Sequence, residues 1–353
     1  MSSSSYSSTE EHPVIKSGTL IGEFEVFRII GEGGYGQIYE VIQQRTNVHY
    51  GMKVEYLSSH NKGLRKEIEI MRDVQISCEF PEFITSGHTK TFRYLIMELL
   101  GPSLSQLCKI LPTRTLSRYT LLHLGIHMIH CIQALHEMGY IHRDVKPGNF
   151  LIRPMRVHPI CFIDFGLARK YVTDTGAHKP PRKHPGYTGT YRFASLNAHE
   201  ETELSRRDDL FSWFYSMVEL ADGRLPWPPS DGKKITIQIK KEIAPEELSR
   251  MLTPEFVEIY KMINSLKYED EPDYNGIVKL LQTAIKNQNF TQHKYDWELF
   301  NGSQLASITA IPLRMDEPAF SDDEARGKKA TAVEGKAKKG KNGEENGGCC
   351  TTF

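Results

Sequence analysis

The sequence predicts an α+β fold in which a small β-rich lobe precedes a larger helical lobe. The first hundred residues alternate in strand fashion around one amphipathic helix, and after Gly101-Pro102 the apolar spacing becomes helical. Length agrees: 353 residues suffice for two or three structural units at about 150 residues each.

Residues 24–30 (FEVFRII) are strand-like, and 37–41 (QIYEV) alternate polar with apolar. Residues 49–55 make a third strand. Residues 64–75 read as an amphipathic helix, with Leu64, Ile68, Met71 and Gln75 on one side and charges opposite. The run RYLIMEL at 93–99 is a buried strand. In the second lobe, Leu121, Leu124, Met128, Ile132 and Leu135 form a wide helical stripe over 121–138. Residues 208–220 are nearly all apolar after two acids, which predicts a helix buried on every side. Further helices are expected at about 245–265 and 275–288. Residues 1–20 are polar and read as disordered; 21–290 form the folded domain, with the lobes meeting between 100 and 101. Residues 291–353 form an extension, mostly disordered from about 321, where large apolar side chains nearly vanish.

Composition narrows the function classes. Hydrophobic residues make up 39% and charged residues 25%, ordinary for a folded soluble chain. Lys plus Arg and Asp plus Glu both number 44, which argues against a general nucleic-acid coat and leaves room only for a local basic patch. No apolar run approaches the length of a membrane helix, and the Ser-rich, acidic start does not read as a secretory signal. The six cysteines, Cys78, Cys108, Cys131, Cys161, Cys349 and Cys350, include no CxxC pair. The first four have apolar neighbours and are expected to be small buried hydrophobes in a reducing compartment.

The first motif is Gly31-Glu-Gly33-Gly-Tyr-Gly36, a G-x-G-x-x-G. By itself it fits a glycine-rich hairpin as well as a phosphate cradle. A dinucleotide enzyme would need a helix after it, whereas here Ile38 begins an alternating, strand-like run. Lys53 ends a strand and offers a point charge to phosphate, and Glu67 on the next helix could hold it from behind; both could equally be surface charges. The decisive stretch is Ile141-His-Arg-Asp144-Val-Lys146-Pro-Gly-Asn149-Phe-Leu151, followed by Cys161-Phe-Ile-Asp164-Phe-Gly166. HRDxKxxN followed by DFG, with the Gly-rich loop and the lysine upstream, resembles the protein-kinase signature set in its proper order.

That resemblance implies a bilobal protein-kinase fold and a serine/threonine protein kinase that uses ATP and Mg²⁺. Gly31, Gly33 and Gly36 would cover the ATP phosphates, and Lys53 would contact them while paired with Glu67. Asp144 would accept or orient the proton of the substrate hydroxyl. Lys146 would neutralise the phosphoryl group in transfer, and Asn149 and Asp164 would hold Mg²⁺. Met97-Glu98-Leu99-Leu100 resembles the gatekeeper and hinge, with adenine against the backbone of Glu98 and Leu100. Ile29, Ile38 and Leu151 would offer it apolar faces; plain core packing explains these residues too. Asp209 resembles the buried acid that caps the catalytic-loop backbone, and Thr190 the threonine that bridges Asp144 and Lys146. Gly51 and Gly148 replace the commoner Ala and Asp without removing a catalytic group.

The usual Ala-Pro-Glu is missing. Gly189-Thr-Tyr-Arg192-Phe-Ala-Ser-Leu-Asn197, Ser205-Arg-Arg-Asp-Asp-Leu210 and Gly223-Arg-Leu-Pro-Trp227 stand in its neighbourhood. These are similar to the casein kinase 1 family, and Asn197-Ala-His199 leans toward its tau-tubulin kinase branch. The resemblance implies a preference for acidic or already phosphorylated protein substrates. Arg192, Gly223 and Arg224 match positions of an anion site, although Arg224 stands where a small hydroxyl residue is common. Lys170, Arg182, Lys183, Lys233 and Lys234 add basic charge around the activation segment; a solvated basic rim is the plainer account. A monomer is expected, with no nucleic-acid partner. Tyr187 and Thr188 lie in the activation segment, but the family typically works without phosphorylation there.

Other features are weaker. His123, His127 and His130 share one helix face but complete no metal motif, so they read as packed or surface histidines. The chain ends Cys350-Thr-Thr-Phe353, a C-a-a-X form beside Cys349 and downstream of several lysines. Prenylation there would give peripheral membrane contact, but both central positions are threonine, and a plain tail is the alternative. Ser321-Asp-Asp-Glu324 reads as an acidophilic phosphorylation site. Location is expected to be cytoplasmic, with the nucleus open and a membrane if Cys350 is prenylated. Two rivals remain: a non-catalytic scaffold on a kinase fold, and a dinucleotide enzyme built on the Gly-rich loop.

Overall fold

The computed structural model describes residues 13–33, 36–59, 63–153, 157–228, 233–291, 293–300, 304 and 320–321. The alternating segments of the first lobe pair into one antiparallel sheet, ordered β1-β2-β3-β4-β6-β5. Its strands are β1 (Leu20–Ile21), β2 (Phe24–Gly33), β3 (Gly36–Gln43), β4 (Val48–Tyr56), β5 (Phe83–His88) and β6 (Phe92–Glu98). One face buries Val26, Tyr39, Val41, Met52, Val54 and Ile96 in a core of its own. Across the sheet, Leu95 packs with Leu64, Ile68 and Met71 of α1 (Leu64–Asp73), and this layer joins the core of the second lobe.

The second lobe contains α2 (Leu104–Ile110), α3 (Arg118–Glu137), β7 (Tyr140–Ile141), β8 (Phe150–Ile152), β9 (Ile160–Phe162), β10 (Arg169–Lys170), β11 (Thr188–Gly189), α4 (Leu196–His199), α5 (Arg206–Asp222), α6 (Lys233–Glu242), α7 (Pro245–Leu248), α8 (Glu255–Ser265) and α9 (Tyr274–Lys286). α3 packs on α5, α9 and β9 through its apolar stripe. Leu124, Met128, Ile132 and Leu135 have no solvent exposure, so cutting one of the leucines to alanine would cost about 2–5 kcal/mol. α5 buries Leu210, Trp213, Phe214 and Met217 and also the two acids of its first turn, Asp208 and Asp209. Among the described residues no helix is long and apolar enough to cross a membrane.

Four expectations need correction. The helix expected over 245–265 is two helices, α7 and α8. The backbone before Pro254 is disfavoured in α conformation, and Ser249 turns its hydroxyl back onto Pro245 O at 2.6 Å. Residues 13–20, expected to be disordered, run along the sheet: Gly18 N donates to Val26 O at 2.8 Å and Ile15 N to Tyr39 Oη at 2.9 Å. The buried hydroxyls of Tyr39 and Tyr56 need partners, and this segment supplies them. At the other end, packing continues past 290. Trp297 is buried and stacks on Tyr295, and Asp296 accepts from Ser117 N at 2.7 Å where α3 begins. Cys78, expected to be buried, is exposed, whereas Cys131 and Cys161 are buried and Cys108 half-buried. In the extension, Phe320–Ser321 (β12) pairs with β11. Cys349, Cys350, the lysine-rich run and Asp322 to Glu324 lie outside the described residues.

Candidate active site

β2 and β3 form the hairpin whose closing pair is Gly33 and Gly36; Gly34 and Tyr35 lie outside the described residues. A strand, not a helix, follows Gly36, which overturns the dinucleotide alternative. Gly36 has φ +123°, and a Cβ there would stand 1.9 Å from Val54 O, so no other residue fits. Two residues on, half-buried Ile38 pairs with Lys53 of β4 and lies 3.5 Å from where a Gly31 Cβ would be.

Lys53 reaches two carboxylates. Its Nζ lies 2.7 Å from Glu67 Oε2 on α1 and 2.9 Å from Asp164 Oδ1. Burial works to lower the Lys53 pKa, but the charges of Asp164 and Glu67 outweigh it and hold the ammonium above its usual value. The two acids differ. Burial pushes Glu67 up to about 7 against the pull of Lys53. Burial also acts to raise Asp164, but Lys53, then Lys146, hold it down at about 2. Asp164 sits in the left-handed region at φ +70°. α1 begins at Gly63 with no side-chain cap of its own. Glu55, two residues after Lys53, caps it instead by accepting from Gly63 N and Leu64 N at 2.7 Å each. Sequence reasoning missed Glu55. Its signal was strand alternation, which puts positions 53 and 55 on the same face.

Between β7 and β8 the chain turns through Asp144, Lys146 and Asn149, all buried. Thr190 N donates to Asp144 Oδ1 at 2.8 Å, and Lys146 Nζ lies 2.8 Å from Asp144 Oδ2. Lys146 Nζ also donates to Thr190 Oγ1 at 2.7 Å. Asn149 Nδ2 donates to Asp144 O at 2.8 Å, so its side-chain oxygen is the atom it offers outward. Asp209, from α5, accepts from His142 N at 2.6 Å, Arg143 N at 2.8 Å and His136 Nε2 at 2.9 Å. Burial alone would raise Asp209, but the His136 hydrogen bond and charge, with His142, hold it below the usual carboxylate range. Burial keeps His142 neutral: it accepts from Asp144 N at Nδ1, donates to Ile163 O at 3.0 Å and stacks on Phe162.

The hinge residues fall on the strand–loop edge between the lobes. Glu98 ends β6 with its carboxylate on Arg153; Leu100 is buried, and Ile29, Met97 and Leu151 are half-buried. Gly51 faces Glu98 O, with room at 3.6 Å for the commoner alanine.

The expected anion site is only partly open. Arg192 pairs with Glu219 of α5, and Gly223 is the left-handed cap of that helix. Arg224, Lys183, Lys233 and Lys234 are exposed. Arg182, though exposed, is already engaged: with Arg169 it binds the buried Glu203, at 2.5 and 3.5 Å. The same arginines, after burial, push Arg143 down to about 10. Neither glutamate was expected from the sequence, because nothing in the spacing marks a partner 27 or 21 residues away. The three helix histidines do not converge. His123 binds Tyr119 O, and His127 meets His130 edge to face at 6.3 Å.

Comparison with known proteins fits this geometry. The protein kinase domain family matches residues 24–289. A probable serine/threonine-protein kinase of Dictyostelium discoideum is 36% identical over 291 residues, covering 81% of this chain and 59% of that protein. The serine/threonine-protein kinase spe-6 of Caenorhabditis elegans is 32% identical over 286 residues, covering 78% of this chain and 76% of its own length. The chain thus spans less than two thirds of the Dictyostelium protein.

Proposed function

Because this chain belongs to the protein kinase family, we propose that it is an active serine/threonine kinase transferring the γ-phosphoryl group of ATP to protein hydroxyls. The observation that carries the reading is a single set of buried charges. Lys53, Glu67 and Asp164 meet on one side, and Asp144, Lys146, Thr190 and Asn149 on the other, every member within hydrogen-bond reach of the next in its group. A scaffold has no need to bury two lysines and three acids around a cleft.

The roles follow from the bonds. Thr190 N–H and the Lys146 ammonium hold the two Asp144 oxygens, leaving the carboxylate aimed as a base for a hydroxyl proton. As the new O–P bond forms, the bond from the γ-phosphorus to the bridging oxygen breaks, and the proton passes to Asp144. Lys146, held between Asp144 and Thr190, balances charge on the moving group. Lys53 binds phosphate oxygens under the Gly31–Gly36 hairpin, and Ile38, Leu100 and Leu151 enclose the base against the backbone of Glu98 and Leu100. The ionised Asp164 carboxylate and the Asn149 amide oxygen are hard donors of the kind Mg²⁺ takes. When bound, the ion neutralises phosphate charge.

The finer assignment is to the casein kinase 1 family, near its tau-tubulin kinase branch, with acidic or phosphorylated substrates preferred. The motifs around Arg192, Ser205 and Gly223 support it, and so do the exposed cations Arg224, Lys183, Lys233 and Lys234. Glu219 on Arg192 weakens that preference. We place the protein in the cytoplasm, a reading the free thiols at Cys78, Cys108, Cys131 and Cys161 support, and read it as a monomer. The test is transfer of radiolabel from ATP to casein by the wild type and by Asp144→Asn. Label in the first and none in the second is expected; equal background signals would favour the scaffold.

A further inference from the structure

Away from the nucleotide site, one cluster of side chains has no part in phosphoryl transfer. Cys78 and Glu79 follow the 3-10 turn (Val74–Ile76) that ends α1, and His158 stands just before β9. Cys78 Sγ lies 3.1 Å from His158 Nε2, and His158 Nδ1 lies 3.1 Å from Glu79 Oε1. One donor atom from each lies within 4.8 Å of the others, a grouping no other such side chains make among the described residues. The loop carrying Cys78 and Glu79 is fixed in advance. Arg153 donates to Cys78 O at 2.6 Å and to Phe80 O at 2.9 Å, and Phe162 N donates to Glu79 O at 3.0 Å.

The charge is incomplete. Glu79 is buried, yet among the described residues its carboxylate meets no lysine or arginine; it faces the His158 imidazole and, at 3.3 Å, the Cys131 thiol. A buried carboxylate without a cation is costly, and a divalent ion would supply the missing charge. Beside the cluster, His127 has a buried Nδ1 with no hydrogen-bond partner.

We infer that these residues form a site for a zinc-class divalent ion, with Cys78 Sγ and His158 Nε2 as direct donors and Glu79 holding the imidazole from behind. Thiolate and imidazole select zinc-class metals over magnesium. Tetrahedral zinc sets sulfur and nitrogen donors about 3.5 Å apart, so the observed pair needs to open by only a few tenths of an ångström. Binding releases the thiol proton to solvent, and His158 Nδ1–H stays on Glu79 and fixes the tautomer. Water fills the remaining positions, which makes the ion exchangeable rather than structural.

The experiment titrates Co²⁺ alone into the full-length, reduced, metal-free chain carrying Cys349→Ser and Cys350→Ser, and reads the thiolate-to-cobalt charge-transfer band. One equivalent should produce the band, and Zn²⁺ should abolish it by competition. Cys78→Ser and His158→Gln should remove it, and Glu79→Gln should weaken binding about 10–100-fold. No band in the parent protein, or an undiminished one in Cys78→Ser, overturns the assignment. If circular dichroism shows that Cys78→Ser is unfolded, the parent protein decides. Zn²⁺ should slow alkylation of Cys78 by iodoacetamide, read by peptide mass spectrometry, and an unchanged rate overturns the site.

Discussion

Thr190→Val removes one oxygen atom and little else. Valine matches threonine in shape at this buried position, and the backbone N–H of residue 190 keeps its bond to Asp144 Oδ1. What disappears is the acceptor 2.7 Å from Lys146 Nζ. A hydrogen bond to a charged group contributes about 1.5–3 kcal/mol, and each 1.36 kcal/mol on the barrier is about tenfold in rate. On the proposed role, Lys146 acts on the group in flight and not on bound ATP, so kcat should fall about ten- to hundredfold. The KM for ATP should hold, because Thr190 touches neither Lys53 nor Asp164. Steady-state phosphorylation of casein, varying each substrate in turn, separates the two. Thr190→Ser, which restores the hydroxyl, should recover most of the rate. A folded Thr190→Val protein with kcat within twofold of wild type would refute the role given to Lys146, and so would a loss confined to the KM for ATP.

Asp209→Asn should lower stability by about 3–5 kcal/mol, because an amide cannot accept all three bonds its buried carboxylate now takes; thermal melts should fall by about 6–20 °C. The folded pKa of Asp209 is depressed, so its stabilisation is present above the unfolded value near pH 4 and lost as pH falls through the folded value. Denaturant titrations across pH should therefore show a shallower acid limb in the variant; identical limbs would contradict this. Gly36→Ala places a methyl against Val54 O. It should cost at least tenfold in kcat/KM for ATP, and a wild-type value would show that the hairpin does not cover phosphate. Glu219→Gln releases Arg192. Removing a half-exposed pair is worth about 1 kcal/mol at most, so KM for a phosphorylated peptide should drop up to about fivefold, and no drop would mean that Arg192 binds no substrate anion.

Strand and helix existence were legible where period and burial agree. The alternation in β3 and β4, and the stripes on α1 and α3, each point one way. α6 went unrecognised because its Lys-Ile-Thr-Ile-Gln-Ile run alternates like a strand; its tertiary setting overrides that, with Thr236 and Lys240 turned inward and Lys240 Nζ on Ala194 O at 2.6 Å. α2 did carry a readable signal in Ser103 and Gln106, which cap each other reciprocally. In the site, the positions lying in short ordered motifs were legible. Of the residues that orient them, Glu67, Thr190 and Asp209 were legible through those motifs, whereas Glu55, Glu203 and Glu219 were not, because they act through folded proximity. Cys78 misled for the same reason: its apolar neighbours in sequence say nothing of the side on which it emerges.

The carboxylate of Glu203, enclosed by Arg169 and Arg182 next to Arg143, has a consequence for control. Two guanidinium groups paired with one acid, with a third nearby, would without it repel one another. The chain carries its own permanent counter-ion instead. Gathered by an acid of the same chain, the Arg169 and Arg182 guanidiniums need no added phosphate to be brought together.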